Sequence, residues 1–331
     1  MIALTRAGFA TLVFTLATLP AIASAQSLVD ELGWAYAIAS GPAATPPVDD
    51  GTRHSLPGSD RQFTLDQIRN RMGTADWFPA DHPSMPSIVA IGREAAGVWA
   101  CSRCHYPNGK GRPENAGIAG LSKDYFVQQM YDFKNGLRHS AEPRKPNTSL
   151  MIGFAIAMTD AEIRAAAEYF GAMRWTPWIE VIETDTVPKT RPQDGMYLRL
   201  EGTAAGKEPI GKRIIETPAN TEYTELLRSP RSSFIAYVPK GSVARGQALA
   251  HGSKGAVTAC TVCHGETLDG LAVVPGLRGR SPSYLARQLA DFKQGARHGL
   301  WAPLMAPVVA GLSADDILNL SAYLASLPPV P

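Results

Sequence analysis

The sequence has only four cysteines in 331 residues, and all of them fall in two five-residue stretches. No thiol is left for a disulfide framework or for a separate nucleophile. Beyond residue 25 no apolar run approaches the ~20 residues that a membrane-spanning helix needs, which excludes a span in the mature chain. Neither sign of charge is in excess, with 32 Lys+Arg against 30 Asp+Glu. The balance survives division, at 15 against 16 over residues 26–175 and 16 against 14 over 176–331. The basic stripe that marks a nucleic-acid binder is therefore absent.

What is present is one motif, twice: Cys101-Ser102-Arg103-Cys104-His105 and Cys260-Thr261-Val262-Cys263-His264. In C-x-x-C-H the two thiols sit one helical turn apart and can add to the two vinyl groups on one edge of a haem. The following imidazole can then bind the iron. C-x-x-C alone would also suit half a zinc site or a redox dithiol. Zinc has no use for a His directly after the second Cys, and the dithiol needs a βαβ context that the flanks lack. Each stretch reads as a covalent clamp for haem c, giving two haems with one iron each.

The clamps belong to a longer repeat. A shift of 159 residues carries Cys101 onto Cys260, Gly120 onto Gly279, and Tyr125 through Gly136 onto Tyr284 through Gly295, with Arg138-His139 falling on Arg297-His298. Such density means two copies of one unit. Ser122 and Ser281 are placed as N-caps, and Gly136 and Gly295 as left-handed C-terminal residues. Thr159-Asp160-Ala161-Glu162 and Ser313-Ala314-Asp315-Asp316 carry the capping-box pattern ahead of a last helix. Residues 26–85 read as an irregular Pro- and Gly-rich segment with one short helix, Thr64–Met72, and with Trp77-Phe78-Pro79 and His82-Pro83-Ser84-Met85-Pro86 tied down by aromatic and Pro contacts. Residues 176–241 read as an extended connector in which Trp178–Thr184, Met196–Leu200 and Arg213–Glu216 favour strands, giving one or two hairpins.

The ligand opposite the imidazole separates electron carriers from catalysts. Met151 and Met305 are the candidates, each seven residues ahead of a matched position, Met158 or Leu312, before the last helix. Both are expected on a loop that folds over the open haem face. The bland reading makes them core fillers. However, Met158 and Met130 are replaced by Leu in the other copy, as core residues should be, while this pair is kept. The rivals are His139 and His298, which also suit a solvated or propionate-facing role. Lys134 and Lys293 read as helix-end charges. The stretch Glu142 to Asn147 has no equivalent length in the second copy, and with Arg138, Arg144 and Lys145 it reads as an exposed cationic loop for docking at the first haem.

With clamps, methionines and capped last helices placed, the chain resembles the class I cytochromes c and, in its doubling, the dihaem cytochromes c with two such domains in tandem. The resemblance covers about 86–174 and 242–328. It implies an all-α fold, with domains at 86–175 and 242–331 joined by the connector. Cys101, Cys104, His105 and Met151 would hold the first haem, and Cys260, Cys263, His264 and Met305 the second. The implied function is single-electron transfer between redox protein partners, such as a dehydrogenase or a terminal oxidase, without catalysis. A dihaem enzyme or an electron-transfer subunit of a membrane dehydrogenase complex is the alternative. The first copy departs from the family in two ways. Ala116 stands where the second has Pro275, and the helix before the clamp is shorter, so the two haems are expected to differ in potential. Arg6, the apolar run Ala7–Leu19 and Ala23-Ser24-Ala25 predict a cleaved leader over 1–25 and a periplasmic location.

Overall fold

The computed structural model describes residues 28–41, 45–252 and 258–329. The expected leader over 1–25 lies outside the described residues. None of the described helices is long and apolar enough to cross a membrane.

The N-terminal segment is tied down. Strand β1 (His54–Ser55) pairs antiparallel with β2 (Gln62–Phe63). Helix α1 (Leu65–Arg69) starts where Thr64 and Gln67 cap each other reciprocally. It ends short of the expected Met72 because the Asn70 side chain takes the Met72 amide at 2.8 Å and turns the chain. Leu56, Leu65, Ile68, Trp77 and Phe78 then pack on Leu227 of the connector. The Trp77 indole donates to the Leu227 carbonyl at 2.8 Å.

The first helical unit contains α2 (Ser87–Ala90), α3 (Ser102–His105), α4 (Lys123–Lys134), α5 (Pro146–Ala157) and α6 (Asp160–Gly171). Ser122 caps α4 through the Tyr125 amide, and Gly136 follows it at φ +69°. Thr159 and Glu162 form the expected box on α6, and Arg93 adds a 2.7 Å bond to the same carboxylate. The apolar faces of α4 and α6 meet through Phe126, Met130, Ile163, Ala167 and Phe170. Met151 does not lie on a loop. Pro146, with its fixed φ and no N–H to waste, opens a three-turn helix that carries it.

The two units are helical apart from one short hairpin, as expected, but the connector carries more strand than an all-α chain with one or two hairpins. Strand β3 (Ile179–Thr184) is followed by β4 (Thr186–Pro188), β5 (Thr190–Gln193), β6 (Met196–Arg199), β7 (Lys207–Pro209), β8 (Ile215–Pro218) and β9 (Phe234–Pro239). β5 and β6 form one hairpin around Asp194-Gly195, both at positive φ, as a two-residue turn requires. The order β3-β9-β8 makes a mixed sheet, in which β3 runs parallel to β9 with Ile179 opposite Phe234 and Thr184 opposite Pro239. β3 leaves the first unit and β9 enters the second, so their pairing sets the two side by side. Trp178 packs on Tyr106 beside the first clamp, while Ile179 and Val181 pack on the core of the second unit.

The second unit contains α7 (Ser242–His251), α8 (Thr261–His264), a β10 (Gly270–Leu271) and β11 (Val274–Pro275) hairpin, α9 (Pro282–Lys293), α10 (Ala302–Ala310) and α11 (Ala314–Ser326). Met305, like Met151, is helical. Gly92 sits beyond α2 at φ +67°, whereas Gly246 is inside α7 and lets it press on the Asn319 carbonyl of α11.

The two units meet in a reciprocal contact. His139 N–H donates to Ala296 O at 2.8 Å, and His298 N–H to Leu137 O at 2.9 Å. Buried Arg138 donates to Gln129 (2.8 Å), Gln288 (2.9 Å) and Tyr284 (3.2 Å). Buried Arg297 answers with Gln288 (3.0 Å), Gln129 (2.6 Å) and Tyr125 (3.3 Å). The repeat thus becomes an approximate two-fold in space.

Candidate functional site

Each clamp hangs from the helix before it. The Cys101 amide donates to Ile88 O at 3.2 Å, and the Cys260 amide to Ala250 O at 2.9 Å. In both, a single turn of helix then brings two thiols and an imidazole to one side. His105 donates from Nδ1 to Ala116 O at 2.9 Å, and His264 to Pro275 O at 2.8 Å. Ala116 therefore performs the orienting role of Pro275 with backbone alone. A proton fixed on Nδ1 leaves the Nε2 lone pair for a metal. Burial lowers the pKa of both imidazoles, which keeps them in this neutral ligand form. Burial also pushes the Cys101 thiol up to about 12 and the Cys260 thiol up to about 11. Thiols held neutral in this way are ill suited to metal binding or exchange.

The clamps open into two cavities. Cys101, Cys104, His105 and Met151 border the first, with Phe126, Phe133, Phe154 and Phe170 on its walls. Cys260, Cys263, His264 and Met305 border the second, with Leu277, Leu285, Phe292 and Leu320. Every site residue read from the repeat is thus brought to one of two apolar slots. Two thiols one turn apart, an imidazole with a free lone pair and a thioether make a donor set that fits haem c.

Of the rival ligands His139 borders the first cavity, and both rings are bonded to backbone carbonyls. His139 Nε2 bonds Gly136 O at 2.8 Å and His298 Nδ1 bonds Gly295 O at 3.0 Å, and the two exposed rings stack on each other across the units, 6.5 Å apart. Lys134 donates to Met158 O at 3.2 Å, and Lys293 to Ala310 O at 2.6 Å. These cations satisfy the carbonyl ends of α5 and α10, the helices that carry the methionines.

Sequence reasoning missed the polar ends of the cavities, because they are built across the interface. Tyr284, Arg287, Gln288 and Asp291 of the second unit border the first cavity, while Tyr125, Gln129, Asp132 and Arg138 of the first border the second. Arg287 is buried and donates to Ala35 O and Pro113 O, both at 2.6 Å. The one available signal was an Arg set among Leu285, Ala286, Leu289 and Ala290 on a buried helix face. The stretch Glu142 to Asn147 is not the exposed cationic loop expected. Lys145 is 4% exposed and borders the first cavity, Glu142 is equally buried, and Arg144 is spent on Glu142 at 2.6 Å. Burial drives the Lys145 ammonium down to about 7, helped by Arg287 and opposed by Glu114 and Asp291.

The chain is similar in sequence to known proteins. The sequence pattern of the family described as Cytochrome c matches residues 89–173. Cytochrome c4 of Pseudomonas aeruginosa is 25% identical over 245 residues, covering 72% of this chain and 88% of that protein. Cytochrome c-554(548) of Halomonas halodenitrificans is 41% identical over 68 residues, covering 20% of this chain and 82% of that protein. The thiosulfate dehydrogenase electron acceptor of Stutzerimonas stutzeri is 37% identical over 79 residues, covering 23% of this chain and 35% of that protein. The chain belongs to the cytochromes c, as a dihaem member that carries two covalently attached haem c groups and transfers single electrons between redox partners.

Proposed function

We propose that the chain is a periplasmic electron carrier with both haems closed to substrate, each held by two thioethers, one His and one Met. In this reading Cys101, Cys104, His105 and Met151 hold the first haem, and Cys260, Cys263, His264 and Met305 the second. The domains then run 86–175 and 242–331, with 26–85 and 176–241 as additions. The observation that carries the reading is the pairing, twice over, of a carbonyl-oriented imidazole and a helix-borne methionine in one apolar cavity. Haem supplies an iron that cycles between ferrous and ferric. His105 with Met151, and His264 with Met305, would hold the iron, while the apolar walls exclude water and fix these side chains, so little would have to reorganise on electron transfer.

Met151→Ala and Met305→Ala should each remove about half of the methionine-to-ferric-iron charge-transfer absorbance. Silence of both, with loss in His139→Ala, would overturn the ligand assignment. A second reading, a dihaem enzyme, requires one haem with an open position. Carbon monoxide should bind the reduced protein slowly if the carrier reading holds, and rapidly to one haem if the enzyme reading does. Similarity to an electron acceptor of thiosulfate dehydrogenase favours a dehydrogenase among the donors.

A further inference from the structure

The two clamps share a sequence pattern but differ in what covers them. At the first, Ser102 is 1% exposed, donates to Val89 O and lies 2.7 Å from the Thr74 hydroxyl. The Ala100 amide donates to Arg71 O at 3.0 Å, and the Arg71 guanidinium lies over the Trp99 ring at 4.3 Å. From the connector, Arg228 donates to the Arg103 carbonyl and Asn108 donates to Pro230 O at 2.7 Å. Segments 71–74 and 228–230 thus close the clamp edge of the first haem from both sides. At the second clamp, among the described residues, Val262, the counterpart of Arg103, is 67% exposed, and Cys263 is exposed.

Among the described residues, the surface around this clamp is apolar and carries little charge. Leu271, on the hairpin that supplies Pro275, is 61% exposed, while Leu300 and Leu304, beside Met305, are 66% and 69% exposed. Residues 299–312 include no charged side chain. Over 258–278 there are three, of which Asp269 and Arg278 neutralise each other at 3.3 Å, leaving Glu266. Exposed apolar side chains grouped on one face mark an interaction site.

We propose that the second haem is the port of the molecule, docking a redox protein through an apolar, weakly charged face, and that the first haem exchanges electrons only through the second. With haem bound, one electron would leave the reduced partner for the ferric haem held by Cys260, Cys263 and His264, and would pass from there to the haem held by Cys101, Cys104 and His105, returning the second to ferric. The occupant is a redox protein with an apolar docking face, because a face with so little charge offers no electrostatic recognition and gains by excluding water. The proposal rests on the haem placement given under Proposed function.

The test is stopped-flow reduction of the dihaem protein by a reduced blue copper protein with an apolar docking face, across ionic strength. Leu271→Glu and Leu300→Glu should each slow the bimolecular step for both haems by roughly tenfold, the effect of ~1.4 kcal/mol. Ile156→Glu, at a 59% exposed position of the first unit, should leave it unchanged. The parental rate should vary little with salt. Slowing by Ile156→Glu alone, or a first haem reduced at parental rate in the two leucine variants, overturns the proposal. So does sedimentation as a dimer that Leu271→Glu dissociates, which makes the face a self-contact. An unchanged charge-transfer band in every variant shows that the ligands hold, so a failed haem assignment would show there and not in these rates.

Discussion

Gly246→Ala tests the helix crossing on which the second clamp is built. An added Cβ would lie 2.0 Å from the Asn319 carbonyl oxygen, 2.6 Å from its carbon and 2.6 Å from the Tyr323 Cβ. Reaching ordinary contact at ~3.4 Å requires α7 and α11 to part by roughly 1.4 Å, and none of these atoms is the free end of a flexible side chain. Overpacking of this kind costs about 1–3 kcal/mol. The upper end applies because backbone must move, and the ~1 kcal/mol that alanine returns in a helix leaves a net loss of about 2 kcal/mol. The loss should reach the haem, since Cys260 hangs from Ala250 of α7, while Leu320 and Leu324 of α11 border the second cavity. The assay is urea unfolding of the ferric protein, read by the charge-transfer band. With a slope of ~2 kcal/mol per molar, the unfolding midpoint should fall by about 1 M. Gly153→Ala on α5 is the control, because its Cβ meets nothing within 4 Å and the change should stabilise by up to ~1 kcal/mol. If Gly246→Ala stabilised in the same way, the close crossing of α7 and α11 would be refuted.

The two haems should titrate with separate midpoints, and that of the first should depend on pH through Lys145. Oxidation adds positive charge beside a buried ammonium already lowered to about 7, so a proton leaves on oxidation and the midpoint falls as pH rises through that range. The slope can reach at most ~59 mV per unit for one electron. Spectroelectrochemistry of Lys145→Met should show the slope gone, and a slope that persisted would place the proton elsewhere. Arg138→Met should destabilise the contact between units by about 1.5–3 kcal/mol, since Tyr284 loses this donor while Gln129 and Gln288 keep that of Arg297. Calorimetry should then separate two transitions that coincide in the parent. A single unshifted transition would show that the units do not depend on this arginine.

The chemistry of this protein was legible in its sequence because covalent haem attachment needs five contiguous residues, and because duplication exposes which positions each copy keeps. The caps at Ser122, Thr159, Ser281 and Ser313 were equally legible, since they satisfy amides within four residues of themselves. Tertiary structure decided what depends on partners far along the chain. The parallel pairing of β3 with β9 joins segments some fifty residues apart, and neither strand's composition specifies its neighbour. Arg287 reaches the first cavity from the second unit, and Lys145, read as an exposed cation, is buried by contacts that its local sequence does not encode. The two clamps are alike in motif and differ in exposure because segments 71–74 and 228–230 fold over one of them. Local chemistry specified what is bound, and long-range packing chose which bound group meets the outside.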